Sequence, residues 1–304
     1  MRRFTSPGFT VIELMVSLII LAIVTSQLLL VFQSQKKAYM ANERILDVQE
    51  DARLVMDLVS HESRMAGFMV PRFAAVSSID GGANAPDTLC VSDSNRIDET
   101  TLDAASQPFD RARPAALIAA AQDKVTLVAG DLDIDGNGVD DFAVGQAVIV
   151  ADTANTFCAL IEAIVGNQLD LDALFPIGFG TGARVVPAVM YEVGAGGGLG
   201  LTRNGLLLSA EVEDLQAEFG VDVNGDGLID PNAAGGEFPI DDLNGFDSSR
   251  LLQVRLTVTT RATQASPDFT GGFSATANRN AGLADSFQRR RFTSTVRPRN
   301  LGNP

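Results

Sequence analysis

The chain has 304 residues, 46% of them apolar, with a formal net charge of −15 and only two cysteines. That apolar content supports a substantial core and excludes a disordered chain. The acidic balance excludes a general binder of nucleic-acid backbone, which needs a basic face. Two cysteines exclude a disulfide-dense scaffold and an all-cysteine zinc site, and one histidine excludes a multi-histidine metal site.

The N-terminus is the first informative stretch. Met1 to Gly8 is short and carries Arg2 and Arg3; Phe9 to Phe32 then runs with a single charge, Glu13. A bilayer core needs roughly 20 apolar residues as a helix. The arginines precede the run, so the N-terminus is expected in the cytoplasm and the remainder exported. An ordinary secretory signal is cut after its apolar region, whereas the small residue here, Gly8, stands before it. A plain single-pass anchor leaves Glu13 without a purpose, and a carboxylate near the start of a membrane helix is costly unless paired.

Beyond the apolar run the helix is expected to continue. Ile45, Val48, Ala52, Val55 and Val59 recur at three- and four-residue spacing, one face of a helix, with Leu54 and Leu58 widening the stripe. Gly67 and Pro71 mark its stop. His61-Glu62 opens a zinc-protease motif, but its fifth position is Met65, so the motif fails and His61 reads as a surface residue.

After Pro71 the pattern changes to short apolar or alternating runs: Thr88–Val91, Val125–Ala129, Ala147–Ala151, Phe157–Val165, Val185–Val193, Leu215–Val221 and Leu251–Thr260. These are strand signals. One long helix followed by many strands predicts an α+β fold, the helix packed against a mainly antiparallel sheet. The glycines of 194–200 do not fit a phosphate-binding fingerprint.

Two segments resemble each other internally. Asp133 to Asp141 and Asp222 to Asp230 both read Asp-x-(Asp/Asn)-Gly-(Asn/Asp)-Gly-x-x-Asp. Calcium takes six to eight oxygen ligands, and positions 1, 3 and 5 of such a loop converge when glycine allows the turn. Asp133, Asp135, Asn137 and Asp141, and Asp222, Asn224, Asp226 and Asp230, are the candidate ligands. Position 12, a glutamate in a complete EF-hand, is Val144 or Ala233, so a further ligand would come from Asp131, Glu237, Asp241 or Asp242. The alternative is a pair of Asp/Asn/Gly-rich turns that hold no ion.

Cys90 and Cys158 both fall in expected strands of the exported part. That compartment favours a disulfide; the alternative is two buried free thiols.

Gly8-Phe9-Thr10-Val11-Ile12-Glu13-Leu14 resembles the type IV prepilin signature. The resemblance implies that a prepilin peptidase cuts between Gly8 and Phe9 and methylates the new amine. Glu13 becomes the fifth mature residue and pairs with the Phe9 amine of a neighbouring subunit. Losing Arg2 and Arg3 with the leader takes the formal charge from −15 to −17. Many major pilins carry a mid-helix proline, whereas this chain has none between Phe9 and Val70, which favours a minor component.

Arg53–Phe68, Val144–Asp152, Glu213–Asp222 and Arg290–Asn300 are similar, in order, to segments of PilW-type minor pilins. That resemblance implies four parts: a leader over 1–8, a membrane and filament-core helix over 9–32, an amphipathic continuation over 33–70 and a periplasmic or extracellular β-rich domain over 71–304. It implies an inner-membrane subunit that the pilus assembly platform moves into the pilus, with other minor and major pilins as partners. Its role is to prime assembly, with a place at the tip, and nucleic acid is not expected as a partner. A type II secretion pseudopilin and a calcium-dependent tip adhesin share these features. A membrane-tethered enzyme is disfavoured by the lone histidine, the failed zinc motif and the absence of a Gly-x-Ser-x-Gly elbow.

Overall fold

The structure, a computed structural model, describes residues 10–97, 112–194, 199–230, 235–266 and 269–301. It is α+β, a long N-terminal helix followed by a mainly antiparallel β domain. The helix, α1, spans Val11–Met65. Two compact units divide within it, at Asp47 and Val48.

In the first unit, Val11–Met40 reaches a mean hydropathy of 2.6 with none of the apolar window buried. Ile19, Leu21, Leu28 and Phe32 are each more than half exposed. A stripe of this size bare to water is not a soluble state, and its length suffices to cross a bilayer.

In the second unit, Val48, Ala52, Val55 and Val59 are buried along one face of α1. The stripe widens toward Met56, Ser60 and Ser63, not toward Leu54, which is 67% exposed, or Leu58, which is half-buried. Each residue turns about 100° along a helix, so the two leucines fall on the far side from that trio. His61 is exposed. Glu62 anchors the helix: it accepts hydrogen bonds from the Tyr191 hydroxyl and from Arg203, whose Nη2 lies at 2.8 Å. At the helix end, Asn300 Nδ2 donates to the Met65 carbonyl at 2.9 Å, satisfying one of the acceptors a helix terminus leaves open. Gly67 follows in the left-handed region at φ 82°, and a Cβ there would lie 3.0 Å from a Leu301 methyl.

The strands are β1 Val76–Ile79, β2 Thr88–Ser92, β3 Lys124–Thr126, β4 Ala147–Ala151, β5 Thr156–Val165, β6 Gln168–Leu171, β7 Arg184–Val193, β8 Leu201–Arg203, β9 Leu206–Ser209, β10 Val212–Val221, β11 Leu251–Arg261, β12 Gly271–Gly272, β13 Ala284–Asp285 and β14 Arg289–Val296. The large sheet runs β1-β2-β7-β4-β5-β6-β3, with β8 and β9 added beside β7. The small sheet runs β10-β11-β14. Its pairings, and those of the large sheet, are antiparallel. β4 is buried at every residue, which is why it reads as an unbroken apolar run. One core lies around β4, β5 and the loops that carry Ile118, Leu132, Ile134 and Phe142. The other gathers Val55 and Val59 of α1, Leu89 and Tyr191 of the large sheet, and Leu215 and Leu256 of the small one. Cys90 on β2 and Cys158 on β5 are joined, with Cα atoms 6.4 Å apart. Their strands are separated in the sheet by β7 and β4.

Asp87 ties the two sheets. Its carboxylate accepts from the amides of Gly81 at 3.0 Å and Ala217 at 2.9 Å, while it is 2% exposed. Burial pushes its pKa up to about 7, against those two amides and with the charges of Asp80 and Asp214 adding to the rise. The folded chain therefore holds this proton more tightly than the unfolded chain, whose group ionises near 3.8. The stabilisation is complete below that value and is lost as pH rises through about 7. The urea midpoint of the domain from Gln33 onward should therefore fall between pH 5 and pH 8, with Asp87 contributing about 2–3 kcal/mol of the loss in unfolding free energy. Asp87→Asn should remove most of that slope; an equal slope in the variant would assign it elsewhere.

Candidate functional sites

Two places carry the residues singled out by sequence. The first is the start of α1. Gly8 and Phe9 lie outside the described residues. Glu13 lies on the first turn of α1. Its Oε2 accepts from the Thr10 amide and the Thr10 hydroxyl, both at 3.2 Å, and the Thr10 hydroxyl accepts from the Glu13 amide at 3.3 Å. This is a reciprocal capping box. Sequence reasoning about the membrane passed over it, although Thr-x-x-Glu spells it out. It satisfies amides that a helix start leaves without partners. Only part of the carboxylate is engaged this way, so Glu13 keeps capacity for a cation.

The second place is the pair of acidic loops. The first lies between β3 and β4, the second directly after β10. In the first, Asp133 accepts from the amides of Gly136, Asn137 and Gly138, at 2.7, 3.1 and 2.8 Å. Asp135 accepts from the Asn137 amide at 2.9 Å, and Asn137 Oδ1 from the Val139 amide at 2.7 Å. Asp141 closes the loop by accepting from the Ile134 amide at 2.6 Å.

The second loop repeats this pattern. Asp222 accepts from Gly225, Asp226 and Gly227 at 2.6, 3.1 and 2.8 Å. Asn224 Oδ1 accepts from the Asp226 amide and Asp226 from the Leu228 amide, both at 2.8 Å. Glycines at the fourth and sixth positions of both loops have φ between 77° and 87°, a region that other residues enter at a cost. The internal repeat is thus a repeat of backbone as well as of letters.

The loops differ in how their carboxylates gather. Ligand atoms of Asp133, Asp135 and Asp141 lie within 4.8 Å of one another, the one such group among the described residues. Asp135 and Asp141 are each 2% exposed. Burial raises the pKa of Asp141 to about 6, and the charges of Asp135 and Asp133 add to the rise. Asp133 moves the other way: burial works upward on it, and the amides of Gly138, Gly136 and Asn137, with Asp135, outweigh it.

In the second loop, Asn224, Asp226 and Asp230 are exposed. Glu237, buried at 0% exposure, closes this loop from below. It accepts from the Asn224 amide at 3.2 Å and the Asp230 amide at 2.7 Å. Of the other candidates, Asp131 is turned to Arg113, accepting its amide at 2.9 Å, and Asp242 to Asn244. Val144 is exposed, and Ala233 lies outside the described residues.

Residues 5–26 match the prokaryotic N-terminal methylation motif. This is the type IV prepilin signature, and it spans Gly8, Phe9, the capping box and the first turns of α1. No curated protein matches the chain significantly. Among solved structures the chain is similar to a type IV-like pilin of Thermus thermophilus, with a TM-score of 0.31 and 10% identity, over 84% of this chain and 97% of that one. At that score the likeness carries no weight.

Proposed function

We propose that this chain is a minor type IV pilin of the PilW type, a structural subunit that performs no chemistry on a substrate. The observation that carries the reading is the methylation motif at residues 5–26, running without interruption into a helix long and apolar enough to cross a membrane. A prepilin peptidase removes residues 1–8 and methylates Phe9. The helix is then held in the inner membrane until the assembly platform passes it into the filament, where neighbouring pilin helices cover it. Glu13 meets the amine of a neighbouring Phe9, a pairing that fixes axial register. The β domain offers its surface to other minor and major pilins in the complex that primes assembly, and stays at the tip. The test is the mass of the chain recovered from source-cell membranes. Loss of eight residues and gain of one methyl group on Phe9 is the expected result. An intact Met1, or a cut after Phe32, would contradict it.

The acidic loops are read as calcium sites of the exported domain. The support is chemical: three carboxylates close together, two of them almost wholly buried, repel one another, and a hard divalent cation relieves that repulsion. Asp133, Asp135, Asn137 and Asp141 hold one ion; Asp222, Asn224, Asp226 and Asp230 hold a second on a more open loop. The domain from Gln33 onward should melt several degrees higher in millimolar calcium than in chelator, since a ligand bound only by the folded state stabilises it. An unchanged melting temperature would leave both loops as plain turns.

A further inference from the structure

The acidity of the chain is unevenly spread. From Gly271 to Pro304 the sequence holds six arginines and one acid, Asp285, in a chain of net charge −15. Three of the six, Arg289, Arg290 and Arg291, open β14, the outer strand of the small sheet. β14 pairs with β11 so that Arg291 stands opposite Thr259 and Arg289 opposite Arg261. Alternate residues of a strand share a face, so these four side chains lie together.

The carboxylates nearby are already engaged. Glu213 and Asp285 hold Arg289, with Asp285 at 2.6 Å. Glu213 also reaches Arg261 at 3.5 Å, and Asp214 holds Arg279. Counting Arg291, four arginines share the three carboxylates of these ion pairs, which leaves the face positive, while Arg290 falls on the other face of β14. Arg291 gives Nη2 to the carbonyl of Ser274 at 2.6 Å, and Arg290 is exposed.

A cavity of about 190 Å³ opens here, lined by Thr259, Gly272, Ser274, Arg289, Arg290 and Arg291. Among these described residues there is no carboxylate. Thr259 is 3% exposed, and its hydroxyl has no hydrogen-bond partner. A buried polar atom left unpaired is costly, so it marks a place where a polar group belongs. Arg289 is committed to Glu213 and Asp285, and Arg291 spends only Nη2 on Ser274, so the rest of its guanidinium with the Thr259 hydroxyl beside it is the donor set that suits a carboxylate, sulfate or phosphate.

We propose that this recess is an oxyanion site, taking one phosphate, sulfate or carboxylate group of a ligand from outside the chain. Its volume is below the roughly 300 Å³ at which whole-molecule pockets begin, so the rest of the ligand lies outside it. The site is independent of the pilin reading and stands whether or not the chain enters a filament.

The test is a titration of the full chain in non-ionic micelles with inorganic phosphate, followed by phosphorus NMR line width, and with sulfate and acetate by calorimetry. Phosphate should bind saturably. Arg291→Gln should weaken it about tenfold, the loss of one charge-assisted contact, and Thr259→Val a few-fold. Arg297→Gln, an exposed arginine outside the cavity, should leave it unchanged. Arg291→Lys, which keeps the charge but loses the planar fork, repeats the test should Arg291→Gln fail to fold, and should also weaken binding. Binding of phosphate and sulfate without acetate assigns a tetrahedral group; binding of all three extends the site to carboxylates. Equal affinity in the wild type and both Arg291 variants, or no saturable binding of any of the three ions, would overturn the proposal.

Discussion

Glu13→Ala should abolish recovery of the chain with sheared filaments while leaving leader removal largely intact. Two roles meet at this residue, and they differ in what a substitution does. The capping box uses Glu13 only as an acceptor for the Thr10 amide and hydroxyl. Glutamine at the same position keeps that acceptor, and capping interactions are worth about 1 kcal/mol. The proposed pairing with a neighbour's amine uses the charge, in a setting where an unpaired charge costs several kcal/mol. Glu13→Gln therefore separates the two. If register depends on the charge, Glu13→Gln fails in filaments almost as completely as Glu13→Ala, with recovery down at least about tenfold. If Glu13 is only a cap, the glutamine variant incorporates as the wild type does. The measurement is immunoblotting of sheared and cell-bound fractions with the processed and unprocessed forms resolved.

Reduction of the Cys90–Cys158 bond should cost the β domain roughly 4 kcal/mol, since it closes a loop of 68 residues and restricts the unfolded chain accordingly. For a domain of this size that is a fall in melting temperature of about 8–15 °C. The bond has a second effect in the folded state. β2 and β5 are not neighbours in the large sheet, for β7 and β4 lie between them. Joining them fixes the curl that brings one end of the sheet toward its middle, over the core of Ile149, Phe157 and Val185. Urea melts with and without reductant measure the cost. Coincident curves, with both thiols labelled equally under denaturing conditions, would mean that the bond is not made in the isolated protein.

Much of the architecture was legible because single elements carry local signals. The buried stripe of α1 from Val48 to Val59 follows helical spacing, and β4, covered on both faces, reads as five apolar residues in a row. β14 did not announce itself, since Arg-Arg-Arg-Phe-Thr-Ser-Thr-Val is a charged edge strand supported by β11 alone. Nor did the polar side chains of β10. Alternation assigns Asp214, Gln216 and Glu218 to solvent, yet all three are buried. Arg279 covers Asp214, the Ala85 carbonyl meets Gln216, and Arg255 holds Glu218. These partners are distant in sequence for the first two and across the sheet for the third, beyond the reach of any local pattern.

The same holds for the sites. The repeated turn of the two acidic loops was readable from the spacing of their Asp, Asn and Gly residues, whereas the hold of Glu237 on the Asn224 and Asp230 amides comes from beyond the repeat and only the fold brings it there. The capping box of Thr10 and Glu13 is spelled by Thr-x-x-Glu, in a stretch whose apolar residues dominate the pattern. The basic recess at β14 was concealed by the net charge, because an average of −15 says nothing about a face on which arginines cluster.

The most direct test of the central claim is a clean deletion in the source organism with filament retraction disabled, followed by counting surface pili in the electron microscope. A priming minor pilin predicts that pili vanish and return on complementation. Pili that persist at wild-type numbers while protein secretion fails would contradict it and assign the chain to a secretion system instead.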